Sequence, residues 1–205
     1  ESQTGSSVLQ TELFGNIRRG RDRIEERPVR VTGVFDDEGR PLPFDHRHDQ
    51  VAVALARPVP EGQSVRVRFE IEGGLLVRPL DNNYWILGTE PWFPVPDLAG
   101  QEFTARLTVR VKKPFRPIAP GTTVRRVEEG DFHLVETRLD TPVQFLTILA
   151  GAYAWDEETK DGVTLRVASY GGRNPTAFRS LLDLGFAPVG FYEVFLAKMP
   201  RRELT

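Results

Sequence analysis

Cysteine is absent from this chain of 205 residues, which excludes disulfide bonds, thiolate metal ligands and cysteine catalysis. Histidine occurs three times, and the His-Glu-x-x-His zinc signature is missing. The Gly-x-Gly-x-x-Gly pattern and the phosphate-binding Gly-Lys-Ser/Thr loop are missing as well. No apolar run approaches the roughly 18 to 20 residues of a membrane-spanning helix, and the first residues show no signal-peptide pattern. The sequence therefore contains none of these catalytic motifs and leaves the compartment open.

The apolar content is sufficient for a folded core. Hydrophobic residues make up 40% of the chain, with 13 Phe and 3 Trp, so we expect one large globular domain, or one domain and part of a second. The net charge of −2 does not indicate a nucleic-acid partner. The first residue is Glu1 rather than Met, and we expect an excised or processed product.

Alternation of apolar and polar residues dominates the first four-fifths of the chain. Residues 103–112, FTARLTVRVK, and 64–73, SVRVRFEIEG, both alternate strictly, and the second places Val65 on the apolar face. This period is typical of half-buried antiparallel strands. Further strands are predicted over 28–35, 50–56, 122–129, 132–139, 143–153 and 162–170. The fold class is therefore mainly β, as a large twisted antiparallel sheet or a sandwich.

The last part of the chain has a helical pattern. Asn174 is a favourable N-cap, and Pro175 suits the first helical position. Gly185 and Pro188 predict an interruption, so we expect a short helix pair whose second helix spans about 189–199. We accordingly divide the chain into an antiparallel β domain, 1–170, and the helical start of a following domain, 171–205.

Candidate sites each have a simpler structural interpretation. Asp45, His46, His48 and Asp49 lie close together and would suit a metal ion, but a polar loop explains them equally well. His133 is expected to be a solvated strand residue. Ser169 precedes a Gly-Gly turn, but the nucleophile elbow requires glycine where Val167 stands.

Charged clusters are also expected to be structural. Six acidic residues could bind calcium, but solvated turns are the better interpretation. They are Asp36, Asp37, Glu38, Glu128, Glu129 and Asp131. Seven basic residues could form a nucleic-acid surface, but an ordinary charged sheet face is the better interpretation. They are Arg66, Arg68, Arg106, Arg110, Lys112, Lys113 and Arg116.

An aromatic segment, NNYWILGTEPWFPVPD (82–97), contains Trp85 and Trp92. It would suit a peptide- or carbohydrate-binding surface, or the packing of aromatic rings over a sheet edge.

In order, several segments resemble the N-terminal domain of aminopeptidase-N-type (gluzincin) zinc metallopeptidases, the family that includes leukotriene hydrolase. Residues 31–74 follow that domain's succession of strands, a D-x-x-G turn and a P-x-x-x-G turn. The family's F-P-x-x-D motif matches Phe93, Pro94 and Asp97. The family's G-x-Y matches at Gly151 and Tyr153, and its helix-ending motif matches at Phe195, Pro200 and Leu204. Three residues depart from the family pattern: Leu98 after the F-P-x-x-D match, and Ala197 and Met199 before Pro200.

The resemblance implies a non-catalytic β domain that caps the cleft of a zinc metallopeptidase, with zinc held in a catalytic domain beyond residue 205. It implies the catalytic domain as intramolecular partner and a peptide as substrate of the parent protein, with no nucleic acid. It also implies a Gln or Glu that holds the substrate amine; Glu90 and Asn83 lie nearby, but neither matches residue for residue. The alternative is a freestanding β-sandwich binding module for peptide or carbohydrate.

Two expectations concern the chain on its own. We predict that it binds no stoichiometric zinc and cleaves no aminoacyl substrate, because the histidines lack the helical spacing of a gluzincin site. We also expect a partly exposed apolar helix surface, which the missing domain would cover, formed by Phe178, Leu181, Leu182, Phe191 and Phe195.

Overall fold

A computed structural model describes residues 6–12, 29–47, 50–73, 84–87, 92–96, 102–169, 172–196, 198 and 203–204. The chain divides into two compact units. Unit 1 comprises Glu1–Val77 and Leu87–Gln101, and unit 2 comprises Arg78–Ile86 and Glu102–Thr205.

Strands account for most of the described residues. In chain order the elements are β1 Ser6–Glu12, β2 Arg30–Phe35, β3 Phe44–Arg47, β4 Gln50–Val59, β5 Arg68–Glu72, β6 Tyr84–Leu87, β7 Val95–Pro96, β8 Phe103–Lys112, β9 Arg116–Ile118, β10 Thr122–Glu129, β11 Phe132–Val143, β12 Ile148–Gly151, β13 Ala154–Lys160, β14 Val163–Ser169, α1 Pro175–Phe195 and β15 Glu203–Leu204. The mainly β class with helix near the C-terminus is confirmed.

Unit 1 contains the sheet β3-β4-β1-β7 and the antiparallel pair β2-β5. The register of β2 against β5 shifts between Val31 and Gly33, so that Val31 and Val34 both face the interior. They form a core cluster together with Val29, Leu42, Val51 and Val53.

Three three-stranded sheets follow, with the strand orders β10-β11-β8, β13-β14-β15 and β6-β12-β9. Strand β8 shows the predicted alternation at every residue, with half-buried and exposed positions in turn. The pairs β10-β11, β11-β8, β12-β9 and β13-β14 are antiparallel, and β14 makes a short parallel contact with β15. The described strands therefore form several mostly antiparallel sheets, in line with the predicted mainly β fold.

Two predicted strands are shorter than expected. Strand β5 begins at Arg68, and Val65 before it is exposed rather than inward-facing. Within the predicted strand 143–153, Val143 ends β11, and only Ile148–Gly151 forms a strand of its own. Strand β13 was missed because AWDEETK lacks a regular alternation. The Asp161-Gly162 dipeptide could have indicated this strand, because Asp-Gly is typical of a two-residue hairpin turn. In the structure both residues have the positive φ that such a turn requires.

The C-terminal helix is one element instead of the predicted pair. Asn174 is its N-cap, and its side chain accepts a hydrogen bond from the Ala177 N–H at 3.0 Å. The helix continues through Pro188. Its packing explains this continuity, because residues before and after the proline, Leu182 and Val189, join the same cluster on β14. Packing of a whole face outweighs the unfavourable propensity of one residue.

Gly185 favours this close packing. A Cβ at Gly185 would lie 2.9 Å from Leu165 Cδ1 of β14, so glycine allows the helix to approach the strand closely. Helix α1 thus belongs to the same compact unit as β13 and β14. The predicted assignment of residues 171–205 to a following domain stays a prediction.

Candidate functional site

The apolar surface of α1 is divided between two environments. Phe178 and Leu182 are buried, with exposed fractions of 2% and 4%. Near the helix C-terminus, Phe191 and Phe195 are 60% and 68% exposed, and their rings contact at a tilt of 51° with centroids 5.0 Å apart. The expectation of a partly exposed helix surface is therefore correct for Leu181, Phe191 and Phe195, and it is wrong for Phe178 and Leu182. The surface that we call the α1 apolar face also includes Leu184, Tyr192, Val194 and Leu196.

The predicted His/Asp cluster falls at the β3–β4 hairpin. His46 lies in β3, where its Nδ1 accepts a hydrogen bond from the Val31 N–H at 3.3 Å. Arg47 Nε lies 2.6 Å from the carboxylate of Asp45. His48 and Asp49 lie outside the described residues, so metal binding by this segment stays a hypothesis.

His133 is not the solvated strand residue that the pattern predicts. Its side chain is only 14% exposed, and Nδ1 lies 2.7 Å from the Phe115 carbonyl oxygen, so Nδ1 must donate. Its Nε2 faces Glu128 Oε1 at 3.3 Å. Glu128 also bonds Lys113 Nζ at 2.7 Å; this hydrogen bond, with the charges of Lys113 and His133, lowers the pKa of the Glu128 carboxyl.

A cavity of about 490 Å³ opens beside these residues in unit 2. Strands β9, β10, β11 and β13 form its walls. Three arginines surround Trp155 at this cavity. The guanidinium carbon of Arg126 lies 4.6 Å from the indole centroid, and those of Arg116 and Arg166 both lie 5.3 Å from it. Apolar walls are provided by Pro117, Val127 and Leu134.

The arginines beside Trp155 differ in their ion pairs. Arg166 holds Glu157 with two nitrogens, at 2.8 and 2.9 Å. Arg126 reaches the same carboxylate only at 3.7 Å, which is too long for a hydrogen bond. Burial, and next the charge of Arg166, lowers the pKa of Arg126. Arg116 makes no ion pair with any residue in the described ranges.

Sequence reasoning missed this cavity. Arg116 was assigned to a general basic face, and Arg126 and Trp155 were not considered. They lie on three different strands and share no local motif, so no pattern along the chain could have indicated their proximity.

The other predicted candidates have structural explanations where they are described. Asp36 accepts hydrogen bonds from Arg40 Nε at 2.7 Å and from two backbone N–H groups of its turn. The Arg40 side-chain hydrogen bond keeps the pKa of the Asp36 carboxyl below its usual value. Ser169 ends β14 and lies just before residues outside the described ranges.

The aromatic segment is described in part. Trp92 and Phe93 are half-buried and meet edge to face, with ring centroids 4.9 Å apart. This contact is typical of packed aromatic side chains. Asn83 and Glu90 lie outside the described residues, as does Asp97 of the F-P-x-x-D match.

Of the four ring nitrogens of the described histidines His46 and His133, three contact protein atoms and His46 Nε2 is buried without a hydrogen bond. Both ring nitrogens of His133 already face protein oxygens, and His46 uses Nδ1 to accept from a backbone N–H. Within the described ranges, no three His, Asp or Glu side chains lie close enough together to hold a metal ion. No helix in the part of the chain that is described combines the length and apolar content needed to cross a membrane.

Comparison with known structures defines the class of fold. The chain has the fold of a part of the M1 zinc metallopeptidases, the aminopeptidase-N type. A Deinococcus radiodurans M1 zinc metallopeptidase variant bound to a Tyr-Ser-Ala substrate matches with a TM-score of 0.69 and 16% identity, over 98% of this chain and 48% of that one.

Two further structures agree. A two-domain M1 zinc metallopeptidase variant bound to L-arginine matches with a TM-score of 0.66 and 17% identity, again over 98% of this chain and 48% of that one. Legionella pneumophila aminopeptidase A in complex with aspartic acid matches with a TM-score of 0.71 and 13% identity, over 98% of this chain and 24% of that one. The chain thus spans about half of these proteins or less. No family model and no curated protein matches the sequence.

Proposed function

We propose that this chain is the N-terminal β domain of an aminopeptidase-like zinc metallopeptidase. In this proposal it carries no catalytic group and covers one side of a peptidase cleft. Zinc and the groups that act on the peptide belong to a catalytic domain in the same parent protein.

The structural likeness is the observation that carries this proposal. It extends over 98% of the chain but only 48% of a metallopeptidase that is described as having two domains. A match of this extent is expected when one chain corresponds to one of two domains of similar size. The order of the sequence motifs, with the F-P match before the G-x-Y match, independently supports the N-terminal position.

The α1 apolar face supports a contact with a further domain. Large side chains such as Phe191, Phe195 and Leu196 are more than half exposed. Contiguous apolar surface of this kind usually marks a contact with another protein surface. A catalytic domain packed on the end of α1 would bury it.

The test is to read the frame after residue 205 and to produce the longer protein it encodes. We expect a His-Glu-x-x-His followed by a downstream Glu. The longer protein should hold one zinc per chain by metal analysis and hydrolyse an aminoacyl reporter, whereas the 205-residue chain should do neither. A stop codon at this point, or zinc and chelator-sensitive hydrolysis in the 205-residue chain, would contradict the proposal.

A matched pair of variants tests the proposed contact. Phe191 and Phe145 are similarly exposed, at 60% and 56%. In the longer protein, Phe191→Ser should increase hydrogen exchange near the end of α1 and lower its thermal midpoint, because a buried contact is lost. Phe145→Ser should leave both unchanged. If the two variants behave alike, α1 does not contact the second domain.

The same experiment addresses the alternative, a freestanding binding module for peptide or carbohydrate. A frame that ends without a zinc signature would favour it. The half-buried Trp92–Phe93 pair fits packing better than it fits an exposed ligand platform.

A further inference from the structure

The cavity beside Trp155 contains positive charge that the described protein leaves incompletely paired. Arg116 has no ion-pair partner among the described residues. Arg126 lies 3.7 Å from its nearest carboxylate, which belongs to Glu157. Guanidinium groups removed from water normally acquire a hydrogen-bonded carboxylate or phosphate partner.

Carboxylates of the lining do not supply that partner, because each is held by another cation. Glu128 bonds Lys113 at 2.7 Å, and Asp156 bonds Arg173 at 2.6 Å. Glu157 bonds Arg166 at 2.8 Å. Their negative charge is therefore largely balanced by three cations other than Arg116 and Arg126.

A fourth carboxylate close to this group is also engaged. Glu203 accepts two hydrogen bonds from Thr123, at 2.9 Å from its N–H and 2.7 Å from its hydroxyl, and its nearest ion pair, to Arg166, is 3.9 Å long. Three guanidiniums thus surround Trp155, while the carboxylates that approach Arg126 and Arg166, those of Glu157 and Glu203, are hydrogen-bonded to Arg166 and Thr123.

The remaining walls are apolar. Pro117, Val127, Leu134 and the indole of Trp155 line the cavity, whose volume of about 490 Å³ is within the range of small-molecule sites. An inorganic anion would leave these walls without contact. A ligand with a flat apolar part could pack on them while its anionic end reaches Arg116 and Arg126.

We propose that this cavity is a binding site for a small organic anion that joins a carboxylate or phosphate group to an aromatic ring. Arg116 and Arg126 bind the anionic group, and Trp155 with Pro117 and Leu134 contacts the ring. The site lies within unit 2 and is independent of the proposed role in a metallopeptidase.

The test is to titrate the 205-residue chain with four small molecules and to measure binding by calorimetry and by NMR chemical shifts. The probes are N-acetyl-phenylalanine, its uncharged amide, phenyl phosphate and sodium acetate. We expect N-acetyl-phenylalanine or phenyl phosphate to bind at least tenfold more tightly than the amide, since charge-assisted hydrogen bonds contribute about a tenfold factor or more. Acetate, which has no ring, should bind more weakly than either. The tighter of the two ring-bearing anions identifies the anionic group.

Variants locate the site. Arg116→Gln removes no ion pair of the described structure, so it should fold normally, and it should weaken binding roughly tenfold. Arg126→Lys keeps the charge but loses the planar fork, and it should weaken binding as well. Arg106→Gln is the control, because Arg106 is an exposed residue of β8 in the same unit. A thermal melt of each variant verifies folding.

Three results would overturn the proposal. The first is that neither ring-bearing anion binds saturably at millimolar concentration. The second is that the amide binds as tightly as the acid and phenyl phosphate, which would mean that the charge is irrelevant. The third is that folded Arg116→Gln and Arg106→Gln variants bind alike, which would place the anion elsewhere.

Discussion

Strand β8 and helix α1 belong to the same unit and both carry regular apolar patterns, but they are buried to different extents. In β8 the inward residues from Phe103 to Val111 are all half-buried, and every outward residue is exposed. In α1 one side of the helix is buried, as at Phe178 and Leu182, while another side is exposed, from Leu181 and Leu184 to Phe191 and Phe195.

Geometry explains the difference. A strand in a sheet has two faces, and its neighbours extend along its full length, as β11 does along β8. Helix α1 has 21 residues and packs against β14, which has seven. At 1.5 and about 3.3 Å per residue, these elements are about 32 and 23 Å long. The helix is therefore longer than β14 and also carries side chains all round its axis, so apolar residues remain on the side and at the end that the strand does not cover.

The largest expected effect separates the two ends of the helix. Phe178→Ala should lower the free energy of unfolding by about 3 to 5 kcal/mol, because it removes a fully buried ring and leaves a cavity. Phe191→Ala in the isolated 205-residue chain should change it by no more than about 0.5 kcal/mol. Urea denaturation of both variants measures the contrast. Equal losses would mean that the end of α1 is packed in solution.

A smaller effect of opposite sign concerns the continuity of the helix. Pro188 lies inside α1, where proline lacks a backbone donor and is about 3 kcal/mol less favourable than alanine. Pro188→Ala should therefore raise the free energy of unfolding by about 1 to 3 kcal/mol in urea denaturation.

The neighbouring Ala187, which is exposed, supplies the control for this prediction. Ala187→Gly should lower stability by about 1 kcal/mol if this segment is helical. If neither substitution changes the stability, the helix ends before Pro188, as the sequence pattern predicted.

The smallest expected effect is at the N-cap. Asn174→Ala removes the acceptor for the Ala177 N–H and should cost about 1 kcal/mol, measured as a shift of the urea midpoint. Asn174→Asp, which retains an acceptor, should remain close to the parent chain. An Asp variant as unstable as the Ala variant would show that the cap hydrogen bond is not the cause.

Individual elements show how far prediction from the sequence extends. The limits of β8 and β10 and the Asn174 cap were predicted correctly, because each depends on residues adjacent in the chain. The break at Gly185 and Pro188 was wrong. Both residues are unfavourable in an isolated helix, but Gly185 permits the close contact with Leu165 that holds the helix against β14.

The sites depend still more on contacts between distant residues. From its place in a strand pattern, His133 was predicted to be solvated. In the structure its Nδ1–H donates a hydrogen bond to the Phe115 carbonyl, 18 residues away. Arg116, Arg126 and Trp155 come together only because β9, β10 and β13 line one cavity.

The sequence by itself therefore determined the mainly β class, the positions of the strongly alternating strands and the start of the helix, since periodicity and capping are local properties. Only the tertiary structure decided that α1 continues through Pro188, which of its phenylalanines are buried and which arginines surround Trp155. These features depend on strand pairing and on packing between segments far apart in the chain, and no local pattern contains that information.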